Sequence, residues 1–222
     1  MADVVAGKEI TLPRIRQEAV IRALDITLAS LLLIAAGPLL LILLCLVRST
    51  SAGPAFFRQE RVGRGMEPFT MLKLRSMYLG NDDQAHRAYV AGMLSAEPDA
   101  SARNGELFKL ANDPRITPLG AWLRRTSMDE LPQLINVLRG EMALVGPRPM
   151  LLWEAELLEE AFRPRFTVKP GMTGLWQVSG RSRLSMRAAL ELDVEYARRP
   201  TVLVNLSILA RTVPALFRGG AS

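Results

Sequence analysis

The longest apolar run in the chain lies near its N-terminus. Residues 26–47 form 22 consecutive positions without a charge, mostly leucine, isoleucine and alanine, which is long enough for a membrane helix. Gly37-Pro38 stands at its midpoint, and proline there removes a helical hydrogen bond and favours a break. Each arm of about 11 residues would reach roughly 16 Å, about half of the hydrocarbon core.

Arginines flank this run on both sides. Because positive residues favour the cytoplasm, they give no clear orientation unless both ends face that side. A re-entrant helix–break–helix meets this condition, but kinked spanning helices also contain proline, so both topologies stay open on this pattern. The flanking residues are Arg14, Arg16, Arg22, Arg48, Arg58, Arg61 and Arg64.

After residue 50 the pattern predicts one small cytosolic body. Two short strands, 55–59 and 69–74, flank a turn at 61–65 and predict a β-hairpin. The remaining polar and helical patterns predict a helix with a surface loop at 79–107, and helices at 116–138, 150–162 and from about residue 184.

The C-terminal pattern is apolar with sparse arginines, and Pro214 predicts a break within it. Such a segment suits either the membrane interface or a helix closing the core. The predicted fold is mostly helical α+β, with a re-entrant membrane helix, a small catalytic domain with a short β-hairpin, and amphipathic interfacial helices. The predicted regions are a tail at 1–19, the membrane helix at 20–48, the cytosolic domain at 49–200 and an amphipathic segment at 201–222.

The amino-acid composition limits which partners and which kinds of metal site the protein can have. The net charge of +6 over 222 residues and a pI near 10 favour an anionic partner such as a membrane surface, a phosphorylated substrate or nucleic acid. A single cysteine, Cys45, and a single histidine, His86, exclude an internal disulfide and a multi-histidine zinc site and disfavour a histidine-based triad. Any metal must then be held by carboxylate and phosphate oxygens, which favours magnesium or manganese.

Two adjacent carboxylates, Asp129 and Glu130, follow the arginine pair Arg124-Arg125. Ser127 and Glu130 have the spacing of a capping box, so one interpretation is a well-capped amphipathic helix. The alternative is an anion site, in which a carboxylate attacks phosphorus or holds a metal beside the arginines. This window alone favours the capped helix, and the rest of the chain favours the anion site.

Further cationic residues stand in rigid surroundings. Lys73 and Arg75 flank one residue of a predicted strand, so both would point to one face. Arg148 is enclosed by two prolines, and Arg181 follows the glycine-rich segment 170–180, which contains Gln177. Because mobile surface arginines need no rigid backbone, these residues together predict one distributed anion site.

These motifs together closely resemble the bacterial sugar transferase family, the monotopic phosphoglycosyl transferases. The similarity runs from about residue 20 to 200 in the family's order, and the chain resembles the short form that lacks an N-terminal multi-helix extension. The matching segments are 58–63, 73–77, 113–117, 123–134, 136–142, 145–149 and 170–181.

The resemblance implies transfer of a sugar 1-phosphate from a nucleoside diphosphate sugar, such as a UDP-hexose, to undecaprenyl phosphate. It implies Mg²⁺, a location at the cytosolic face of the bacterial inner membrane, and a role in starting exopolysaccharide, O-antigen or glycan assembly. The family's re-entrant helix breaks at a proline that Pro38 matches, although Gly37 stands where serine is usual. A homodimer is left open.

By the same resemblance, Asp129 is the nucleophile that forms a covalent phosphosugar intermediate, and Glu130 helps it hold magnesium. The candidates for substrate binding are Lys73, Arg75, Arg124, Arg148, Arg181 and Gln177.

Three alternatives belong beside this hypothesis. The carboxylates could serve only metal and base in a direct ternary-complex transfer. The chain could be an inactive membrane scaffold, although the intact Asp129-Glu130 pair argues against that. A nucleic-acid binder fits the charge, but no recognition motif of that class occurs, so we expect no nucleic-acid partner.

Overall fold

The structure is a computed structural model that describes residues 12–80, 83–95, 113–180 and 184–218. The α-helices are α1 Leu12–Thr50, α2 Gln84–Ser95, α3 Pro118–Arg125, α4 Gln133–Arg139, α5 Leu152–Glu156, α6 Leu175–Ser179, α7 Met186–Arg198 and α8 Val202–Arg218. The strands are β1 Phe56–Val62, β2 Pro68–Leu74, β3 Ala143–Val145 and β4 Gly171–Thr173, and 3-10 turns span Arg64–Met66, Met128–Glu130 and Glu160–Thr167. The described part is thus mostly helical α+β, as predicted.

Helix α1 contains the whole apolar run. Among the described residues it is the one helix long and apolar enough to cross a membrane, by length and composition. It continues through Pro38 as 39 residues, so the predicted break does not interrupt the helix. A proline removes one hydrogen bond in the helix interior, and here the residues on both sides of it keep helical structure.

The predicted β-hairpin is confirmed. β1 and β2 pair antiparallel from Phe56 opposite Leu74 to Val62 opposite Pro68, and they are longer than the apolar pattern indicated. The turn between them contains Gly65 at φ 71°, a left-handed conformation that glycine adopts without steric cost.

Several predicted helices are divided or shorter. The segment 116–138 comprises α3, the Met128–Glu130 turn and α4, and Gly140, with φ 83°, caps the end of α4. The segment 150–162 is not one amphipathic helix, because α5 ends at Glu156 and a 3-10 turn begins at Glu160. Of the segment 79–107, α2 is described and residues 96–107 lie outside the described residues.

The C-terminal helix packs against the core and also carries exposed apolar residues. α8 continues through Pro214, so the predicted break there is wrong. One face packs into the core through Asn205 and Ile208, which are 5% and 1% exposed. On the other face Leu203 and Val213 are exposed, which leaves an apolar surface suited to an interface with lipid.

A second, parallel pair of short strands was not predicted. β3 and β4 pair Ala143 with Gly171 and Val145 with Thr173, and Gly171 donates its backbone N–H to the Pro147 carbonyl over 2.9 Å. The two backbones are so close that a Cβ on Gly171 would overlap the backbone nitrogen of Gly146. This contact holds the segment after β3 against the start of β4.

We expect Gly171→Ala to lower the free energy of unfolding by about 1–3 kcal/mol or more, because overpacking against backbone cannot be relieved by a side-chain rotation. Gly92→Ala in α2 is the matched control, since no atom of the described part of the chain lies within 4 Å of its added Cβ. That change should stabilise the protein by up to about 1 kcal/mol through helix propensity. Denaturant unfolding in detergent measures both, and equal stability of the two variants would contradict the close β3–β4 packing.

Candidate active site

Asp129 and Glu130 lie on a 3-10 turn between α3 and α4. Ser127 has φ 57° and ψ 18° and makes no side-chain cap, so the capping-box interpretation of this segment is wrong. Its left-handed backbone instead ends the preceding helix and turns the chain, and the Glu130 N–H donates to the Ser127 carbonyl over 3.2 Å. Asp129 is 7% exposed, so the turn presents a buried carboxylate beside a half-buried one.

Lys73 contacts this turn directly. Its Nζ lies 3.0 Å from Glu130 Oε1, and the two side chains come from β2 and from the turn after α3. Burial lowers the pKa of Lys73, while the Glu130 and Asp129 carboxylates oppose that shift. Lys73 is thus a desolvated cation held at a carboxylate pair.

Asn136 fixes the strand that carries Lys73. Its Oδ1 accepts the Leu72 N–H over 3.0 Å, and its Nδ2 donates to the Thr70 carbonyl over 2.7 Å. The side-chain amide thereby pairs with the edge of β2 as a neighbouring strand would. Because Asn136 belongs to α4, these bonds set the position of Lys73 relative to the adjoining acidic turn.

Arg148 and Gln177 join the site from the other side. Both line a pocket that also contains Lys73 and Glu130, so the structure brings together four residues that the sequence placed far apart. Gln177 donates from Nε2 to the Met172 carbonyl over 3.3 Å, whereas its buried Oε1 has no hydrogen-bond partner among the described residues. The described residues that line it are Arg61, Met71, Lys73, Glu130, Gln133, Arg148, Pro149, Gly171, Met172 and Gln177.

Arg124 is the next cation around the buried carboxylate. Burial lowers the pKa of Arg124, and the nearby carboxylates of Asp129 and Asp113 oppose that shift. Asp113 is itself held by Arg115, whose Nη2 lies 2.7 Å from Asp113 Oδ2. The side chain of Arg124 therefore interacts with Asp129 across a desolvated region, where charge interactions are strong.

Of the predicted binding residues, one lies away from the pocket and one lies outside the described residues. Arg75 is 4% exposed and donates from Nη2 to the Val47 carbonyl, the Ser51 carbonyl and the Ser51 hydroxyl over 3.2, 2.6 and 2.8 Å. It joins the C-terminal end of α1 to the end of β2 and is not among the pocket residues. Arg181 lies outside the described residues, and the binding roles of both stay predictions.

The sequence interpretation did not single out Arg61 for the site. Burial lowers the pKa of Arg61 to about 10, and its Nη1 donates to the Pro149 carbonyl over 3.0 Å. Trp176, in the same glycine-rich segment as Gln177, is 6% exposed and packs in the core. A signal for Arg61 was present, since it is a charged residue at the end of an apolar strand pattern.

Comparisons with known proteins identify the family of the chain. The family model described as bacterial sugar transferase matches residues 16–219. The chain is 37% identical over 195 residues to the exopolysaccharide production protein ExoY of Rhizobium meliloti, covering 88% of this chain and 84% of the relative. It is 39% identical over 217 residues to the UDP-glucose:undecaprenyl-phosphate glucose-1-phosphate transferase of Caulobacter vibrioides, covering 93% and 73%.

A third relative is longer. The undecaprenyl-phosphate galactose phosphotransferase of Salmonella typhimurium is 40% identical over 197 residues, covering 89% of this chain but 40% of the relative. The chain thus spans about two fifths of that protein, and a similar share of an uncharacterized sugar transferase of Haemophilus influenzae. The family match covers most of the chain and confirms the resemblance: the chain belongs to the bacterial sugar transferase family.

Proposed function

We propose that the protein transfers a hexose 1-phosphate from a UDP-hexose to undecaprenyl phosphate at the cytosolic face of the bacterial inner membrane. The observation that carries this proposal is the buried Asp129 on a turn whose neighbouring Glu130 pairs with Lys73, with Asp129 acting electrostatically on Lys73 and Arg124. The names of the Salmonella and Caulobacter relatives specify galactose and glucose phosphate transfer to undecaprenyl phosphate. They support the substrate class.

In the proposed first step, a carboxylate oxygen of Asp129 forms a bond to the β-phosphorus of the UDP-hexose. The bond from that phosphorus to the bridging oxygen breaks, and UMP leaves with the electron pair. In the second step, a phosphate oxygen of undecaprenyl phosphate attacks the same phosphorus and displaces the Asp129 carboxylate. The product is an undecaprenyl diphosphate sugar, and the enzyme returns to its starting state.

The cations contribute charge at fixed positions. Phosphoryl transfer depends mainly on positioning and on neutralising phosphate charge in the transition state. Arg124 adds positive charge near Asp129, and Lys73 and Arg148 line the pocket that would hold the diphosphate. The buried Oε1 of Gln177 lacks a protein partner among the described residues, so we assign it to a hydroxyl or N–H donor of the substrate.

Magnesium fits this donor set as a proposed cofactor. Among the described residues no group of three or more acidic, histidine or cysteine side chains could hold a metal ion, but Asp129 and Glu130 supply adjacent carboxylates. Mg²⁺ commonly takes one or two carboxylates and completes its shell with substrate phosphates and water. When bound, it would neutralise phosphate charge during transfer.

The contacts of α1 support a membrane helix that enters and leaves on the same side. Before Pro38, Arg22 donates to the Val137 and Leu138 carbonyls and Ala29 is fully buried. After Pro38, Leu40 is 7% exposed and packs in a core cluster of the same domain. Between Ala29 and Leu40 only about 15 Å of helix remains, half of the hydrocarbon core. We therefore propose the re-entrant topology, in which α1 keeps helical structure on both sides of Pro38 and bends there.

We expect cysteine labelling in spheroplasts to place both ends of α1 in the cytosol. In a Cys45→Ser background, Gln17→Cys and Ser49→Cys should each resist a membrane-impermeant maleimide until the cells are lysed. Both positions are exposed on the protein, so lysis should allow labelling. Ile34→Cys, at a position 74% exposed to the surroundings of the protein, should stay protected by lipid after lysis. Labelling of one end in intact spheroplasts would establish a spanning helix instead.

A nucleotide-release assay tests the proposed activity. The purified protein in nanodiscs would be incubated with undecaprenyl phosphate, Mg²⁺ and a panel of UDP-hexoses, and UMP would be quantified. Release with one or two sugars, lost on chelation and restored by Mg²⁺, is the expected result. No release with any nucleotide sugar would favour the inactive scaffold.

A further inference from the structure

A buried ion pair lies behind the loop that carries Arg148. Arg165, on the Glu160–Thr167 turn, and Asp193, on α7, are each 2% exposed. Arg165 Nη2 lies 2.6 Å from Asp193 Oδ2 and also donates to the Arg148 carbonyl over 2.8 Å. One nitrogen thus connects α7 to the backbone of a pocket residue.

A contribution to the stability of the fold does not explain why this buried pair is present. Arg165 Nε and Nη1 and Asp193 Oδ1 are buried and have no hydrogen-bond partner among the described residues. Burial raises the pKa of Asp193 to about 6, against the opposing effect of Arg165. Incompletely bonded buried ions cost desolvation energy, and apolar residues of similar volume often replace such pairs without loss of stability.

The loop itself is held from two sides. Pro147 and Pro149 fix their own backbone φ angles, and Pro149 restricts Arg148 to extended conformations. The Pro149 carbonyl accepts from Arg61 over 3.0 Å, while the Arg148 carbonyl accepts from Arg165. Two guanidinium groups from different elements therefore bind consecutive carbonyls.

We propose that the Arg165–Asp193 pair is a positioning device for Arg148: it fixes the backbone from which the Arg148 side chain reaches the diphosphate pocket. This inference deepens the proposed function and rests on it for the identity of the substrate. Neither Arg165 nor Asp193 lines the pocket, so both act through Arg148. The ligand that the pocket would bind is a diphosphate group.

The test separates positioning from stability. In the double variant Arg165→Met/Asp193→Leu, thermal unfolding should stay near that of the wild type, because apolar packing replaces the pair. Its affinity for inorganic diphosphate, measured by calorimetry, should fall about tenfold, because Arg148 loses its fixed position. Asp193→Asn, which keeps the shape but removes the charge, is the second variant and should lose affinity in the same direction.

A double-mutant cycle with Arg148→Ala is the deciding measurement. Arg148→Ala alone should weaken diphosphate binding, and adding Arg165→Met/Asp193→Leu or Asp193→Asn should change it less than about twofold further, because coupled residues are not additive. Val194→Ala is the control. It creates a cavity in the core next to Asp193 on α7 and should leave diphosphate affinity unchanged. Additive losses, unchanged affinity in both pair variants, or no diphosphate binding by the wild type would overturn the inference. UMP release is measured in a separate assay. If the transfer reaction alone failed, the binding cycle would still test whether the ion pair positions Arg148.

Discussion

Asp129→Asn should lower the rate of UMP release by about a thousandfold or more. Without the carboxylate nucleophile the attack on the β-phosphorus cannot take place, whereas loss of a stabilising contact would only slow it. Asparagine has nearly the shape of aspartate, and the side chain is 7% exposed within the turn. The loss is therefore expected without loss of the fold. Steady-state UMP release with undecaprenyl phosphate and the preferred UDP-hexose measures it.

Two controls bound this prediction. Glu60→Gln changes an exposed carboxylate on β1 and should leave the rate within about twofold of the wild type, as expected for a surface charge. Thermal unfolding of Asp129→Asn should resemble that of the wild type. If Asp129→Asn retained more than about a tenth of the wild-type rate, the aspartyl nucleophile would be wrong, and direct transfer would be favoured.

Lys73→Met should lower kcat/KM by about 10²–10³, the loss typical when a fixed charge that stabilises a transition state is removed. Lys73 Nζ is 3.0 Å from Glu130 and lines the pocket, so its loss removes a cation from the site and leaves Glu130 without that partner. Lys73→Arg keeps the charge and should retain more activity than Lys73→Met.

The pH profile gives Lys73 a separate signature. Because burial lowers its pKa, the ammonium should lose its proton as pH rises through a value below the usual ~10.4. Activity should therefore fall on the alkaline side in the wild type, and in Lys73→Arg that fall should move to higher pH. Identical alkaline profiles in the two proteins would show that the charge of Lys73 is not required.

The sequence predicted those helices and strands that depend on the pattern of a single short segment. The length of the apolar run predicted α1, and the apolar strands around a glycine turn predicted the hairpin. Neither proline ends its helix, because Pro38 and Pro214 each remain inside a helical segment. A proline removes one hydrogen bond, and packing of the flanking residues can compensate for that loss.

The acidic turn was identified from its motif, but its surroundings depend on tertiary contacts. Strand alternation placed Lys73 and Arg75 on one face, yet β2 ends at Leu74, so alternation no longer applies to Arg75. The β3–β4 contact consists of close backbones in three-residue strands, which carry little side-chain signal. The Arg165–Asp193 pair joins positions 28 residues apart, a distance that no helix or strand periodicity encodes.

The central claim is that the sugar phosphate passes through Asp129. The direct measurement is a single turnover with enzyme in excess over UDP-hexose, with Mg²⁺ and without undecaprenyl phosphate, followed by quantification of UMP and peptide mass spectrometry. We expect UMP stoichiometric with the limiting donor and a phosphohexosyl group on the peptide containing Asp129, which later undecaprenyl phosphate removes. UMP that appears only when undecaprenyl phosphate is present, with no modified peptide, would contradict the account and establish direct transfer.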